Sequence, residues 1–235
     1  MGPVAIVQHE ESVPPGLIAE VLEETGTEHV VIEAWRADGW PAVGGLGGLV
    51  VMGGTMNVDE TDRYPFLARS RALMADALDR ELPTLGVCLG SQMMARVLGA
   101  DVFRADPRNA FFGEVELTPQ GADDEIVQSF DSVPVLQFHE DTFKVPDGAF
   151  ALASSATSGL AQAFRYRDTA YAVQFHFEVD HDIVSTWCDE IGDDAMVQEW
   201  GIATETLMAD ADKYMSGQRA AGKTLVGAFL RLARV

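Results

Sequence analysis

The stretch Leu85-Gly86-Val87-Cys88-Leu89-Gly90-Ser91-Gln92 decides how this chain is read. The apolar run from Leu82 to Val87 has the length of a buried strand, and Ser91 to Leu98 carries an apolar face of Met93, Met94, Val97 and Leu98 at helical spacing. Between them stands one cysteine with a glycine two residues away on each side. A nucleophile elbow has this spacing, because a strand that turns sharply into a helix leaves no room for Cβ atoms beside the turning residue. A cysteine there projects towards a helix N-terminus, where free N–H groups and the helix dipole favour a thiolate and can hold an oxyanion. Taken alone, the pattern fits a buried thiol in a tight turn as well as a nucleophile.

Working outward, Pro3–Gln8, His29–Ala34 and Leu49–Met52 read as strands, with a helix at Leu17–Thr25 stopped by Gly26. A further helix is expected from Pro65 to about Glu81, with apolar residues from Phe66 to Leu78 on one face. This strand–helix rhythm predicts an α/β fold: an open, mostly parallel, flavodoxin-like central sheet with flanking helices. After a short strand at Ala100–Arg104 the pattern changes. Glu114–Thr118, Val133–Gln137, Phe150–Ser154, Ala161–Tyr166 and Thr169–Gln174 are short strands, expected to add antiparallel pairs, with Arg167-Asp168 as a two-residue hairpin turn. From Asp180 onward four helical segments are expected: Ile183–Cys188, Ala195–Trp200, Thr204–Met215 and Lys223–Arg234. The organisation that follows is one domain over residues 1–190, with a helical extension over 191–235 packed on it.

The net charge is −21, from 37 acidic and 16 basic side chains. That field repels polyanions and argues against nucleic-acid binding. No apolar run is long enough to span a membrane. Without a basic leader-like start, a cytoplasmic location is expected. Cys88 and Cys188 are the only cysteines. Neither lies in a CxxC pair, so no metal site, and no cofactor, is expected.

A nucleophilic cysteine needs a base, and the base needs an orienting group. His176 lies where an apolar strand ends, in Gln174-Phe175-His176-Phe177-Glu178. Glu178, two residues on, falls on the same face and can accept the second ring N–H. Gly53-Gly54 ends another predicted strand at the sheet edge where α/β folds place ligands. These glycines can turn backbone N–H groups towards a bound carbonyl.

Val51-Met52-Gly53-Gly54, Gly86 to Gln92 and Gln174 to Glu178 together resemble the three signatures of class I (triad) glutamine amidotransferases, notably stand-alone proteins similar to the glutaminase domain of GMP synthetase. The resemblance covers roughly residues 1 to 190. It implies that Cys88 attacks the side-chain amide of glutamine, His176 moves the proton and Glu178 orients it. The oxyanion would rest on Gly54 and Leu89. Glutamate and ammonia would leave through a γ-glutamyl thioester. The resemblance further implies Gly53, Gln92, Phe112, Gly113 and His139 as substrate-binding residues, His139 at the rim of the pocket.

Two departures stand out. Phe177 follows the histidine where the family commonly has proline, and Thr55 replaces the proline of the usual Gly-Gly-Pro turn. The second is expected to loosen the turn, so that Thr55–Arg63 would order only on binding. No ATP-binding loop is present, since Gly222-Lys223-Thr224 is a fragment of one only. An ammonia acceptor would therefore be a synthetase subunit in trans. The same triad would also cleave γ-glutamyl peptides or γ-glutamyl amines. A catalytically silent regulatory subunit is the reading from another class. The oligomeric state is not legible.

Overall fold

A computed structural model describes residues 2–233; Met1, Arg234 and Val235 lie outside the described residues. Five parallel strands form the larger part of an eight-stranded sheet: β1 (Val4–Gln8), β2 (His29–Glu33), β3 (Gly48–Val51), β4 (Thr84–Val87) and β10 (Ala170–Val173). Antiparallel β6 (Val115–Leu117), β8 (Ala149–Ser155) and β9 (Ala161–Tyr166) extend it, giving the order β2-β1-β3-β4-β10-β9-β8-β6. The expected open parallel sheet with added antiparallel strands is therefore present. A separate antiparallel pair, β5 (Val102–Gly113) with β7 (Val135–Phe143), stands beside it.

The period-two alternation of the strands sorts their side chains between two cores. Val4, Ile6, Val50, Leu85, Val87 and Val173 face one side, where they meet α1 (Leu17–Glu24) and the C-terminal half of α7 (Thr204–Ala233). Ala5, Val7, Leu49, Val51 and Ala172 face the other, against α2 (Phe66–Asp79) and α3 (Leu89–Val97). A third cluster joins the β5–β7 pair to α5 (His181–Ile191), α6 (Asp193–Trp200) and the first half of α7. One short helix, α4 (Pro119–Ala122), is capped by the Thr118 hydroxyl, which accepts from Gly121 N. Among the described residues no helix is long and apolar enough to cross a membrane.

Several local expectations need correcting. The expected helices Thr204–Met215 and Lys223–Arg234 are not separate: residues 204–215 and 223–233 belong to the single 30-residue helix α7, Gly222-Lys223-Thr224 lies inside it, and Arg234 lies outside the described residues. Gly222 looks like a break in sequence but is a contact: a Cβ there would lie 2.7 Å from Leu17 Cδ2 and 3.0 Å from Phe177 Cδ2. Ala100–Arg104 and Phe111-Phe112-Gly113 are one strand, β5, whose register against β7 shifts between Arg104 and Asn109. Pro107, which has no N–H for the ladder, lies in that interval and explains the break in the sequence signal. The β9–β10 turn has three residues, since Tyr166 pairs with Ala170, and Arg167 takes the positive φ of 52° that a glycine would usually supply. The helix after the elbow starts at Leu89, without the two-residue lead expected.

The glycines of α7 give a matched test. Gly222→Val should destabilise the fold by about 1–3 kcal/mol through overpacking against α1. Gly217, which meets only Val133 at 4.0 Å, should instead gain about 0.5–1 kcal/mol as alanine. Urea titrations of both variants read the two signs, and a destabilised Gly217→Ala or a neutral Gly222→Val would contradict this packing.

Candidate active site

Cys88 joins β4 to α3 at φ 49° and ψ −107°, a strained conformation for a residue with a Cβ. Hydrogen bonds on both sides of the residue hold it there. Its N–H donates to Val173 O at 2.9 Å, and its carbonyl accepts from Ser91 N at 2.9 Å and from the Ser91 hydroxyl at 2.6 Å. The flanking glycines are required by contact: a Cβ on Gly86 would lie 2.5 Å from Gly90 O, and one on Gly90 would lie 2.0 Å from Val51 O. The thiol therefore sits at the head of α3, whose first N–H groups have no intrahelical acceptor.

His176 and Glu178 come to the same place on an irregular segment just past β10. The strand has ended, so their juxtaposition does not depend on the pleat. The segment is pinned at both ends: His176 N donates to Leu136 O on β7 at 2.8 Å, and Glu178 O accepts from Leu17 N at the start of α1 at 2.8 Å. A Cβ on Gly16 would lie 2.3 Å from that Glu178 carbonyl, which accounts for the glycine after Pro14-Pro15. His176 Nδ1 donates to Glu178 Oε1 at 2.8 Å, with His176 3% exposed and Glu178 fully buried. Cys88 and His176 line the same cavity, with the sulfur close enough to act on the imidazole. Glu178 Oε2 has no partner among the described residues, so the imidazole is the carboxylate's main compensation for burial. Burial alone would depress the His176 pKa. The Glu178 carboxylate and the Cys88 sulfur outweigh it, and His176 is raised well above the ordinary histidine value. The arrangement favours an imidazolium held against the Glu178 carboxylate. Such a group can hold a thiolate and later deliver a proton to a leaving nitrogen.

The Gly53-Gly54 turn lies directly over the thiol. A Cβ on Gly53 would be 3.3 Å from His176 Cε1 and 3.5 Å from Cys88 Cβ, and one on Gly54 would be 2.9 Å from Leu89 Cδ2. Gly54 and Leu89 thus meet beside the elbow. The expectation of a loose turn does not hold. His9 is fully buried behind it, with Nδ1 3.2 Å from both Met52 O and Gly53 O. A carbonyl can only accept, so Nδ1 carries the proton and Nε2 accepts from the Ser70 hydroxyl at 3.0 Å. Glu10 accepts from Thr55 N at 2.6 Å and from the Thr55 hydroxyl at 2.9 Å. Two side chains from the end of β1 thereby do what the missing proline would do. Beyond Thr55, Asn57 donates to Asp141 at 2.6 Å and Asp59 meets Arg96 at 2.8 Å, so the segment to Arg63 is tied down without a ligand. The sequence reading does not single out His9 and Glu10. Their only signal is a polar His-Glu pair at the end of a buried strand.

The other expected residues divide. Gln92 is 3% exposed and faces the cavity, with its amide nitrogen donating to Asp141 O at 2.9 Å and to Gln174 Oε1 at 3.2 Å. His139 also faces the cavity, but at 3% exposure it is part of the wall and not of the expected rim. Its Nδ1–H donates to the backbone of Asp141 at 3.0 Å, so no carboxylate supports it as a base. Burial and the neighbouring His176 charge lower its pKa to about 3. Phe112 and Gly113 are not at the cavity. They lie on β5, where Phe112 joins the third core cluster and packs 6.1 Å from the Tyr214 ring. Pairing with β7 carries both residues past the site.

The cavity over Cys88 has a volume of about 780 Å³. Its far wall includes Trp187 and Trp200, which in sequence show only ordinary helical spacing. Trp187 stands edge-on to His176 at 4.9 Å and donates from Nε1 to Ser12 O at 2.6 Å. Cys188, one residue on, is a buried free thiol within the third core cluster.

The buried His9 yields a pH test. Burial lowers its pKa from 6.5 to about 4, so between those values the unfolded chain binds a proton that the folded chain refuses. The stability from neutral His9 is complete above pH 6.5 and is lost as pH falls towards 4, by about 3 kcal/mol. His9→Gln removes that titration. The stability gap between the native chain and the variant should therefore narrow by about 3 kcal/mol over this window in urea titrations. A gap independent of pH would contradict the assignment.

Known proteins share the family and the fold. A family model described as "Glutamine amidotransferase class-I" matches residues 17–185. The chain is 30% identical over 166 residues to a glutamine-hydrolyzing GMP synthase subunit of Thermoplasma volcanium, covering 68% of this chain and 76% of that protein. It is 33% identical over 120 residues to the corresponding GMP synthase subunit of Methanoregula boonei, covering 51% of this chain and 64% of that one. A crystal structure of a glutamine amidotransferase from Thermotoga maritima superposes with a TM-score of 0.87 at 26% identity, over 100% of this chain and 99% of that chain. With the family model matched over residues 17–185 and the fold shared along its whole length, the chain belongs to the class-I glutamine amidotransferases.

Proposed function

We propose that the protein hydrolyses the side-chain amide of glutamine through a γ-glutamyl thioester on Cys88, releasing glutamate and ammonia. The observation that carries this is the buried Cys88–His176–Glu178 constellation, with His176 Nδ1 2.8 Å from Glu178. The Cys88 thiolate attacks the γ-carbonyl carbon. The oxyanion forms between Gly54 and Leu89, where each backbone donor is worth about 3 kcal/mol. His176 gives its proton to the departing nitrogen, and the C–N bond breaks. Water then adds to the thioester with His176 as base, the C–S bond breaks and glutamate leaves. Glu178 keeps the imidazole in one tautomer and stabilises its charged form throughout. Gly53, Gln92 and His139 shape the glutamyl end of the pocket.

The relatives from Thermoplasma and Methanoregula belong to a glutamine-hydrolysing synthase. By extension, a synthetase subunit in trans is the natural consumer of ammonia here, in the cytoplasm. The acidity of the chain leaves such a partner a basic docking face to offer.

The test is ammonia release from glutamine. Cys88→Ala should lower the rate at least about a thousandfold, and Glu178→Gln by about 10²–10⁴, mainly in kcat. A Cys88→Ala variant with native turnover would overturn the proposal. Glu178→Gln at full rate would remove Glu178 from the triad.

A further inference from the structure

The cavity is larger than glutamine needs. Glutamine fills roughly 150 Å³, the space of about five waters, whereas the cavity holds about 780 Å³. Besides the elbow and Gln92, the β5–β7 pair and the helices α5 and α6 line this cavity. Its walls are built from aromatic rings. Phe138 and Trp200 stack with centroids 4.6 Å apart, and Trp187 adds a third ring 5.6 Å from Phe138. Phe103 borders the same space and is 39% exposed, outside all three core clusters.

The charge around these rings is one-sided. Glu60, Glu140, Asp141, Glu190 and Glu199 face the cavity, against Arg104 and Arg108. Both arginines are already engaged: Arg108 bridges Glu140 at 3.0 Å and Glu199 at 2.6 Å, and Arg104 meets Glu140 at 2.6 Å. Glu190 pairs with no cation among the described residues. A γ-glutamyl group is zwitterionic and leaves this excess uncompensated. An ammonia leaving group would use neither the rings nor the acids.

Resting on the thioester reading above, we infer that the surplus space is a leaving-group subsite, and that the preferred substrates are γ-glutamyl amides of larger amines with an apolar or aromatic body and a second positive charge. The rings take the body and the carboxylates take the charge. The reaction balances as for glutamine: the C–S bond forms as the C–N bond breaks, and His176 protonates the departing nitrogen. The free amine then leaves through the aromatic mouth, and water releases glutamate from Cys88.

Four probes test this on the full chain: L-glutamine and the γ-L-glutamyl conjugates of para-xylylenediamine (cationic), benzylamine (neutral) and para-carboxybenzylamine (anionic). The three conjugates share one ring and differ in charge. The expected order of kcat/KM is cationic, neutral, anionic, with the cationic conjugate about tenfold above glutamine. Free para-xylylenediamine should inhibit competitively, and Trp200→Ala should lower the conjugate-to-glutamine ratio of kcat/KM about tenfold. Since Trp200→Ala could disturb folding, Glu190→Gln provides a second variant, which should shrink the cationic-to-neutral ratio about threefold. Glutamine turning over better than all three conjugates, or the anionic conjugate leading, would overturn the subsite and leave the thioester reading intact. If no probe yields either product or a covalent intermediate on Cys88, both readings fall together.

Discussion

The active-site end of the sheet depends on a close approach between the Val51 carbonyl at the end of β3 and the backbone of Gly90, where even a methyl group would lie 2.0 Å from the oxygen. That approach brings α3 hard against the carboxyl edge of the sheet. It obliges the chain to turn within one residue and holds Cys88 at positive φ. The sulfur is presented at a helix N-terminus because the turn has no room to place it elsewhere. The Cβ clash that Gly86 avoids against Gly90 is the same constraint seen from the strand side. Strain of this kind persists only when surrounding contacts over-determine it, and here the Val173 and Ser91 hydrogen bonds do so.

A second dependence runs through Glu178. Its carboxylate is fully buried with one oxygen unpartnered, a cost that its contact with the His176 imidazolium offsets. Its carbonyl starts α1 and its neighbour Phe177 packs against Gly222 of α7. The polar site and the apolar core therefore share one segment. This explains why Phe177 is tolerated where a proline is common in the family: the ring fills the core between α1 and α7, with Phe130 6.2 Å away.

Most of the scaffold is legible from local signals. The apolar runs of β1, β3 and β10 and the stop at Gly26 reflect forces acting over a few residues. The elbow is legible for the same reason, since its glycines answer to its own turn. What local reading misses involves distant partners. Gly222 interrupts no helix because it meets Leu17, near the opposite end of the chain. Phe112 and Gly113 are drawn from the pocket by pairing along β7. The Gly53-Gly54-Thr55 turn is rigid because His9 and Glu10 hold it from another strand, and no pattern within the turn could announce that. Trp187 and Trp200 have ordinary helical spacing, and only the docking of α5 and α6 on the β5–β7 pair turns them towards Cys88.

The helices after β10 thus do more than cover the sheet. α7 closes one core through Leu225, Val226 and Phe229, while α5 and α6 complete the chamber into which the thiol opens. All of this matters chemically only if the Cys88 sulfur becomes acylated. Rapid acid quench of the protein during glutamine turnover, followed by intact-protein and peptide mass spectrometry, tests that most directly. The account predicts a mass increase of one γ-glutamyl group on the peptide containing Cys88, absent from Cys88→Ala. Steady turnover with an unmodified Cys88 peptide at every quench time, or with the label on another residue, would contradict it.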